Sequence, residues 1–380
     1  DDMKLPDLLN AVVLRSLHAH ANIRSIDVSA ATRLPGVVAV FTAADIQDLA
    51  VEIPTRTNTG ADEFNPTRHP LLASDKVCYV GQAVAVLIAE DIYTAADALD
   101  QIVVDYEILP ALTDPHEALE PGAMIIHPDQ VSNVSLRTVN GGGDLDGAFA
   151  QADHVVRQTY QVQRLAPAPM EPRGLIADYD SQADLLTVWD STQHPHEVRE
   201  HLVHLLGRTE ESIRVIAPDV GGGFGSKIPH YPEEAVMTWA AKKVGRPVKW
   251  TAERSESFLS DTHGRDHVTH AELALDESGK FLGLKVQTMA NMGAYLSTAA
   301  PGIPTILHGL MLSGTYTLPA VKEDVYGIYT NGTPVEAYRG AGRPEATFMI
   351  ERMMDVLAAE VGMDPVDVRK KNLIPKFDDG

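Results

Sequence analysis

Two glycine-rich loops carry the residues of this sequence that are best suited to chemistry. The first is PDVGGGFGSK at 218–227 and the second is AYRGAGRPE at 337–345. Glycines at this spacing let backbone N–H groups approach a ligand closely, and a helix beginning after each loop would add partial positive charge at its N-terminus. The pattern indicates two places suited to an anionic or phosphorylated cofactor, although tight packing alone would also explain either loop.

Neither loop matches a common nucleotide-binding motif. A P-loop requires glycine directly before Lys-Ser/Thr, yet Ser226 precedes Lys227 and Ile228 follows it. The dinucleotide fingerprint G-x-G-x-x-G differs from GGGFG at 221–225. These mismatches argue against a phosphate-binding hydrolase, and the absence of a G-x-S-x-G motif argues against an ordinary α/β-hydrolase.

Histidines are the other candidates for chemistry. His196-Glu197 followed by His201 resembles a zinc-protease motif, but a separation of five residues places the two histidines about 140° apart around a helix. His263 and His267 have the i, i+4 spacing but no evident third ligand. Both groups are expected to be solvated or to support neighbouring side chains rather than to bind a metal.

The elements that must position these residues are predicted from periodicity and from Gly and Pro signals. From about residue 146 the pattern is mixed α and β, with a hairpin turn at 276–279. Strands are predicted at 155–163, 174–179, 185–190, 213–217, 248–251, 268–275 and 281–290. Helices are predicted at 195–206, 232–244 and 344–361, with a last short helix opened by Pro365.

Residues 1–110 are expected to form one α/β unit. Its predicted elements are a strand at 37–41, a strand pair or one long strand at 77–88 with Gly81 at a bend, a helix at 91–100 and a strand at 102–106. The order strand, helix, strand within about 30 residues suits a crossover unit. Prolines and the glycine run at 141–143 then predict a connector over the surface at 110–145.

Composition excludes several classes of protein. The chain has 380 residues with 31 Lys plus Arg and 53 Asp plus Glu, a formal net charge of −22 and no strong basic patch, so nucleic-acid binding is not expected. The single cysteine, Cys78, cannot form a disulfide within the chain, a four-cysteine zinc site or an iron–sulfur cluster. Its apolar surroundings predict a buried structural thiol. No run reaches the roughly 18 apolar residues of a membrane helix, and a cytoplasmic location is expected.

Three motifs, taken in order, carry a resemblance to a known family. They are Ser191-Thr192-Gln193, PDVGGGFGSK at 218–227 and EAYRGAGRPEA at 336–346. Supporting segments are PMEPR at 169–173 and, nearer the N-terminus, LHAHANIRSID, PGVVAVFTAADI and YVGQAVAVLIAE. Together they resemble the molybdenum-binding large subunit of the xanthine dehydrogenase / aldehyde oxidase family, the molybdenum hydroxylases, over essentially the whole chain.

The resemblance implies an α+β fold in two parts. An α/β-hammerhead domain is expected at 1–112, a connector at 113–145 and the first of two molybdopterin-binding domains at 146–380. The second such domain, which carries the family's base glutamate, is expected to lie outside this chain. The chain alone is therefore expected to be catalytically incomplete, either as a fragment or because a separate chain supplies the second domain.

The resemblance also implies roles for residues of the motifs. Gln193 is expected to hydrogen-bond an oxygen ligand of molybdenum. The first loop is expected to approach the metal and dithiolene side of the cofactor by its backbone, and the second loop to line the opposite side. No protein ligand to the metal is expected, because molybdopterin, in its cytosine dinucleotide form, holds it. The implied cofactor-binding residues are Gln193, Gly222, Gly223, Phe224, Gly225, Arg339, Gly340 and Ala341.

Departures from the family pattern bear on the substrate. The AYRGAGR form is similar to the carbon-monoxide-dehydrogenase-like branch, whose CO dehydrogenases carry a copper-binding cysteine where this chain has Gly340. A Mo–Cu centre and CO oxidation are therefore not expected. Purine-oxidising members have a glutamate where this chain has Ile228 and a phenylalanine where it has Ala341. These two residues are the expected substrate-pocket residues, and xanthine is not an expected substrate.

The implied reaction is hydroxylation of an aldehyde or N-heterocycle with oxygen derived from water. Its electrons would pass to partner subunits carrying Fe-S centres and FAD, since one cysteine cannot hold a cluster. The competing hypothesis is a non-catalytic scaffold or assembly subunit that kept the fold. Glycines at both cofactor positions, together with Gln193, argue against it.

Overall fold

The computed structural model describes residues 2–49, 52, 53, 55 and 61–376. The strands are β1 (Leu9–Arg15), β2 (Ala21–Asp27), β3 (Val37–Thr42), β4 (Glu63–Phe64), β5 (Lys76–Val77), β6 (Ala83–Ala89), β7 (Val103–Ile108), β8 (Val134–Gly142), β9 (His154–Val162), β10 (Gly174–Asp180), β11 (Leu185–Asp190), β12 (Ile213–Ile216), β13 (Val248–Thr251), β14 (His267–Leu275), β15 (Phe281–Gly293) and β16 (Ala320–Tyr329). The α-helices are α1 (Ile92–Leu99), α2 (Pro115–Ala118), α3 (Leu145–Ala150), α4 (Pro195–Leu206), α5 (Pro232–Val244), α6 (Arg254–Ser260), α7 (Arg343–Val361) and α8 (Pro365–Asn372).

A seven-stranded sheet joins the N-terminal part of the chain to the part that carries the first glycine loop. Its strand order is β12-β11-β10-β13-β1-β6-β3. β1 pairs in parallel with β13, with Leu9 opposite Val248, and antiparallel with β6 on its other side. Apolar residues of α4 and α5, such as Leu202 and Val236, belong to the buried core of this sheet. The first glycine loop leaves edge strand β12 and enters α5.

A six-stranded sheet supports the second glycine loop. Its order is β4-β8-β16-β15-β14-β9. Met349, Met353 and Leu357 of α7 pack in one buried cluster with Phe281 and Leu284 of β15. The second loop runs directly into α7. β14 and β15 pair antiparallel, which confirms the predicted hairpin.

A three-stranded sheet, β5-β2-β7, completes the N-terminal part. α1 packs against β1 and β6 of the seven-stranded sheet, but β7 lies in the three-stranded sheet, where it pairs antiparallel with β2. The predicted crossover unit is therefore wrong, because β6 and β7 lie in different sheets. A local strand-helix-strand pattern does not contain the pairing partner of its last strand, and here that partner, β2, comes much earlier in the chain.

Helices α4 and α5 begin and end where the sequence predicts. Pro195 and Pro232 occupy their first turns, and Gly207 and Gly245 end them with φ of +60° and +68°. These left-handed caps favour glycine because it has no Cβ to clash. No helix in the part of the chain described above combines the length and apolar character needed to cross a membrane.

The stretch predicted as a surface connector contains α2 and β8. β8 pairs antiparallel along β16, and its Leu136 is fully buried, so the expectation that this stretch only runs over the surface is wrong at β8. β16 also lies outside the predicted strands, because Glu323 and Asp324 interrupt its apolar alternation. The division into 1–112, 113–145 and 146–380 stays a prediction.

Candidate functional site

The two glycine loops meet backbone to backbone. The Arg339 N–H donates to the Phe224 carbonyl, with N and O 2.8 Å apart. Gly225 has φ +111°, and a Cβ there would lie 2.6 Å from the Ala337 carbonyl carbon and closer still to its oxygen. Only glycine permits this conformation and this approach. The two loops therefore share one junction.

Two residues of this junction hold left-handed backbone conformations without being glycine. Phe224 has φ +54° and Ala341 has φ +47°. Such conformations cost about 1–3 kcal/mol each and cluster at functional sites. The Phe224 ring is nevertheless 43% exposed. At Gly340, with φ +105°, a Cβ would lie 2.5 Å from Pro344 Cγ, so this turn has no room for a side chain.

Gln193 reaches the junction from the turn between β11 and α4. Its backbone N–H donates to the Lys227 carbonyl at 2.8 Å, and its Oε1 accepts from the Gly225 N–H at 2.9 Å. A Cβ at Gly223 would lie 2.6 Å from Gln193 Cδ, so a glycine makes room for this side chain. Within the described residues Nε2 has no hydrogen-bond partner, and the side chain is exposed. One amide donor is therefore available to a ligand beside the loops.

An ion pair between a buried lysine and a half-buried glutamate lies beneath the first loop. Lys227 Nζ lies 2.9 Å from Glu171 Oε2 and donates to Ser191 Oγ at 2.7 Å. Burial opposes ionisation of Glu171, but hydrogen bonds from Lys227, Ser191 and Gly221 outweigh it and hold the pKa of this carboxyl below its usual range. Burial lowers the pKa of Lys227, and Glu171 opposes that shift.

A second buried pair holds the other loop. Arg265 Nη1 lies 2.9 Å from Glu345 Oε2, and Arg265 Nη2 donates to the Arg339 carbonyl at 2.9 Å. A Cβ at Gly342, φ +87°, would lie 3.2 Å from His308 N and closer to the Ile303 carbonyl oxygen. The second loop is thus packed between Arg265 and the short π-helix at Ile303–Leu307.

Buried carboxyls of β11 and α5 differ in the direction of their pKa shifts. Burial raises the pKa of Asp190 well above its usual range and raises the pKa of Glu234 to about 8. Glu233 behaves oppositely: burial opposes its ionisation, but Arg173 and Arg15 outweigh it and lower its pKa to about 2. The cations near the loop pair with specific acids: Lys227 with Glu171, and Arg173 with Glu233 and Asp261.

The structure brings most of the predicted cofactor residues into direct contact. Gln193 touches the first loop at Gly223 and Gly225, and Phe224 touches Arg339. A Cβ at Gly222 would meet the Phe224 ring. The remaining two predicted residues, Gly340 and Ala341, follow Arg339 and form the turn that leads into α7.

The expected substrate-pocket residues are less closely joined. Ile228 and Ala341 are each half-buried. The Ile228 N–H donates to the Gly225 carbonyl and the Ala341 N–H donates to the Tyr338 carbonyl. Ile228 directly follows the first loop and Ala341 lies within the second, and their pocket role stays a prediction.

Sequence reasoning missed the ion pairs below the loops. Glu171 and Lys227 are 56 positions apart, and nothing in their local patterns indicates pairing. Both lie within motifs that carry the family resemblance, which is the one signal that could have singled them out.

The histidines are engaged in local contacts. His194 lies beside Glu197 at 3.2 Å, the rings of His201 and His230 are 5.3 Å apart, and His263 Nε2 lies 3.0 Å from the Phe258 carbonyl. Among the residues with described positions, no group of three or more His, Cys, Asp or Glu could hold a metal ion.

The thiol of Cys78 is buried, as predicted. Burial raises its pKa, which disfavours the reactive thiolate.

Two sequence profiles match the chain. One, described as "Aldehyde oxidase and xanthine dehydrogenase, a/b hammerhead domain", matches residues 1–110. The other, described as "Molybdopterin cofactor-binding domain", matches residues 126–373. The second alone spans more than half of the chain and includes both glycine loops.

Curated relatives and solved structures agree with these profiles. The chain is 38% identical to the 6-hydroxypseudooxynicotine dehydrogenase complex subunit gamma of Paenarthrobacter nicotinovorans, over 99% of this chain and 47% of that protein. It is 37% identical to the carbon monoxide dehydrogenase large chain of Hydrogenophaga pseudoflava, over 99% of this chain and 48% of that protein. Quinoline 2-oxidoreductase from Pseudomonas putida 86 superposes with a TM-score of 0.93 at 36% identity, covering 98% of this chain and 47% of the other. The chain spans about half the length of these relatives.

Proposed function

The chain belongs to the aldehyde oxidase and xanthine dehydrogenase family of molybdenum hydroxylases, and from this premise we propose that it binds molybdopterin where the two glycine loops meet. The bound cofactor would serve hydroxylation of an N-heterocycle or an aldehyde with oxygen derived from water. The observation that carries the proposal is the junction itself, where Gly225 and Arg339 join the loops and Gln193 Nε2 has no hydrogen-bond partner among the residues that the structure describes.

The residues present fit this cofactor. Glycines keep the loop backbone open to close approach, and Gln193 offers an amide donor held in place at Oε1 and at its backbone N–H. When bound, the cofactor supplies the oxygen-transfer and electron-accepting chemistry. Gln193, Phe224 and Arg339 would position it together with the loop glycines, because they meet at the junction from both loops.

The proposed reaction breaks one substrate C–H bond and forms a C–O bond. Substrate and water give the hydroxylated product, two protons and two electrons. The electrons need an acceptor, and Cys78 alone cannot ligate an iron–sulfur cluster. We therefore include partner subunits carrying Fe-S centres and FAD in the proposal. The proposal also includes the cytosine dinucleotide form of the cofactor, which the family resemblance implies, and a cytoplasmic location.

The base for this reaction is neither Glu171 nor Glu345. Glu171 accepts hydrogen bonds from three donors at one oxygen, and Glu345 pairs with Arg265. Both are committed to holding the loops. We place the base outside residues 1–380, on another part of the large subunit or on a separate chain with the second molybdopterin domain.

The substrate side of the proposal rests on small and apolar residues. Ile228 and Ala341 offer neither a carboxylate nor an aromatic ring to a purine, and one solved relative is named for quinoline, a nitrogen heterocycle. Gly340 has no space for a side chain, since a Cβ there would meet Pro344. A copper-binding cysteine does not fit this turn as it stands, which supports a centre without copper.

Isotope labelling tests the proposed function. The enzyme, purified in its natural assembly, is supplied with quinoline-type heterocycles and aldehydes in water enriched in oxygen-18, and its molybdenum and cytidine monophosphate are measured after cofactor hydrolysis. The proposal expects both to be present and the label to enter the product. An enzyme without molybdenum, or a hydroxylated heterocycle that carries no oxygen-18 from the water, would refute it.

A further inference from the structure

We propose that the ion pair of Lys227 and Glu171 is a positioning device that holds the first glycine loop and Gln193 in the geometry that meets the cofactor. The inference rests on the proposed function, because the position of Gln193 matters to chemistry only if the cofactor binds there. Lys227 and Glu171 are positioning residues: their contacts are with the loop and the strand end, and they act through the residues they hold.

A single carboxylate oxygen of Glu171 accepts hydrogen bonds from three groups in and beside the loop. Its Oε2 accepts from the Gly221 N–H at 2.7 Å, from the Ser191 hydroxyl at 2.7 Å and from the Lys227 ammonium at 2.9 Å. Gly221 lies near the start of the first glycine loop and Lys227 at its end, while Ser191 follows β11. One oxygen therefore ties both ends of the loop to the residue that follows the end of β11.

The close packing at this point leaves little freedom. A Cβ at Gly221 would lie 2.5 Å from Glu171 Cβ, so the loop backbone lies directly on the glutamate stem. The Lys227 side chain is fully buried, and its ammonium also donates to Ser191 Oγ. Three residues therefore form a closed triangle of hydrogen bonds under the loop.

The backbone carbonyl of Lys227 connects the ion pair to Gln193. That oxygen accepts from the Gln193 N–H at 2.8 Å and from the Thr192 hydroxyl at 3.2 Å. Gln193 then returns to the loop through its Oε1, which accepts from the Gly225 N–H. A displacement of Lys227 would therefore move the Gln193 backbone and redirect its Nε2 donor.

The charges around the pair favour this arrangement. Burial raises the pKa of both Asp190 and Glu234, the latter to about 8, so neither is a dependable anion near neutral pH. Asp261, which also faces Lys227, is bonded to Arg173 at 2.6 Å. Glu171 is the ionised partner in direct contact with Lys227, and removing its charge leaves a buried cation without a counter-charge.

A matched glutamate elsewhere provides a control. Glu272 is 27% exposed, against 23% for Glu171, and it also pairs with a lysine, Lys285, at 3.2 Å. It lies on β14 in the six-stranded sheet and bonds Arg157 of β9. Glu272→Gln makes the same chemical change in a lysine ion pair that does not contact either glycine loop; its Lys285 is 53% exposed, whereas Lys227 is fully buried.

The test compares Glu171→Gln, Lys227→Met, Gln193→Ala and Glu272→Gln in the assembled enzyme. Three quantities are measured on each: molybdenum per chain, the Mo(V) electron paramagnetic resonance signal of partly reduced enzyme, and kcat and KM separately. Glu171→Gln keeps the shape and an acceptor oxygen, so it remains informative if Lys227→Met does not accumulate as folded protein. Ser191→Ala, a smaller change to the same triangle, serves as a further variant.

The inference expects Glu171→Gln to shift the Mo(V) signal in the same sense as Gln193→Ala and to lower kcat about 10- to 100-fold, the range typical of residues that orient metal-site ligands. Glu272→Gln should keep the wild-type signal and kcat. Wild-type signal and kcat in Glu171→Gln and Ser191→Ala would overturn the inference, as would equal effects of Glu272→Gln. A wild-type enzyme that holds no molybdenum would instead overturn the proposed function, so the two failures are distinguishable.

Discussion

Replacing Gly223 by alanine should separate the function of the site from the stability of the fold. A Cβ at this position would lie 2.6 Å from Gln193 Cδ and 2.8 Å from Gln193 Cγ. Real Cβ atoms do not approach carbon atoms so closely, so one of the two side chains must move. Gln193 is exposed and can rotate into solvent, whereas the loop backbone is held on both sides.

The stability cost of this change is small because it involves one hydrogen bond. Rotation of Gln193 breaks the bond between its Oε1 and the Gly225 N–H, which is worth about 0.5–1.5 kcal/mol. Gly223 does not have a positive φ, so alanine adds no backbone strain. The effect on function is larger, because the amide donor leaves the cofactor site: a loss of about 10- to 100-fold in kcat/KM corresponds to about 1.4–2.7 kcal/mol of transition-state stabilisation.

The assay compares Gly223→Ala with Gly142→Ala, which also has an ordinary backbone but nothing within 4 Å of its Cβ. Urea unfolding gives the free energy of unfolding, and kcat/KM is measured at equal molybdenum content. We expect Gly223→Ala to lose activity while it unfolds within about 1.5 kcal/mol of wild type, and Gly142→Ala to retain activity. Full activity of Gly223→Ala at full molybdenum content would refute the reasoning.

Three other outcomes follow from the structure. Gly225→Ala should lower the free energy of unfolding by about 2–5 kcal/mol in urea titrations, since it adds left-handed strain and a clash with a backbone carbonyl. Gly207 is a left-handed helix cap in open space, so Gly207→Ala should lower the free energy of unfolding by only about 1–2 kcal/mol, and equal losses for the two variants would contradict the close approach of the loops. Gln193→Ala should lower kcat about 10- to 100-fold at normal molybdenum content and shift the free energy of unfolding by less than about 1 kcal/mol; unchanged turnover would remove its assigned role. Burial lowers the pKa of His69 to about 3, below its unfolded value near 6.5, so the stability that the neutral imidazole contributes is present above about pH 6.5 and is lost as the pH falls toward 3. The free energy of unfolding of wild type relative to His69→Phe should therefore decrease between pH 7 and 4, and a constant difference would contradict this.

Local signals in the sequence predicted the helices that position the site. The proline and glycine residues that bound α4 and α5 act within a few residues of the helix ends, so their effect is visible without the rest of the fold. The same holds for the β14–β15 hairpin, whose turn is encoded at 276–279. The glycine loops were also recognisable, because left-handed and closely packed positions such as Gly225 restrict the residue type.

Long-range pairings were not predictable from those signals. β8 pairs with β16, and β7 pairs with β2 rather than extending the sheet that contains β6. Which strands pair depends on the strand edges that the rest of the fold leaves available, and local sequence does not encode this. Glu323 of β16 is buried against His308 at 2.7 Å, so a charged residue that argues against a buried strand is satisfied by a distant partner. The pairing of Glu171 with Lys227 has the same origin.

The family resemblance predicted more of the site than the residue chemistry did. Backbone arguments indicated anion-friendly loops but gave no reason to place them together, and the contact from Arg339 to Phe224 depends on the packing of two separate sheets. The role of Gln193 also came from the resemblance, since an exposed glutamine has no distinctive local pattern. What the structure adds is the physical reason for its orientation: its Oε1 accepts from the Gly225 N–H, and its Nε2 bonds to none of the residues with described positions.

A density map of the assembled, molybdenum-loaded enzyme tests the central claim most directly. The account predicts that the strongest non-protein peak in this chain's surroundings lies beside the contact between Phe224 and Arg339, with Gln193 Nε2 within hydrogen-bond distance of a ligand atom. The same loop backbone should be present with little rearrangement, because Gly225 and Lys227 already hold it. A molybdenum peak located away from both glycine loops would contradict the account.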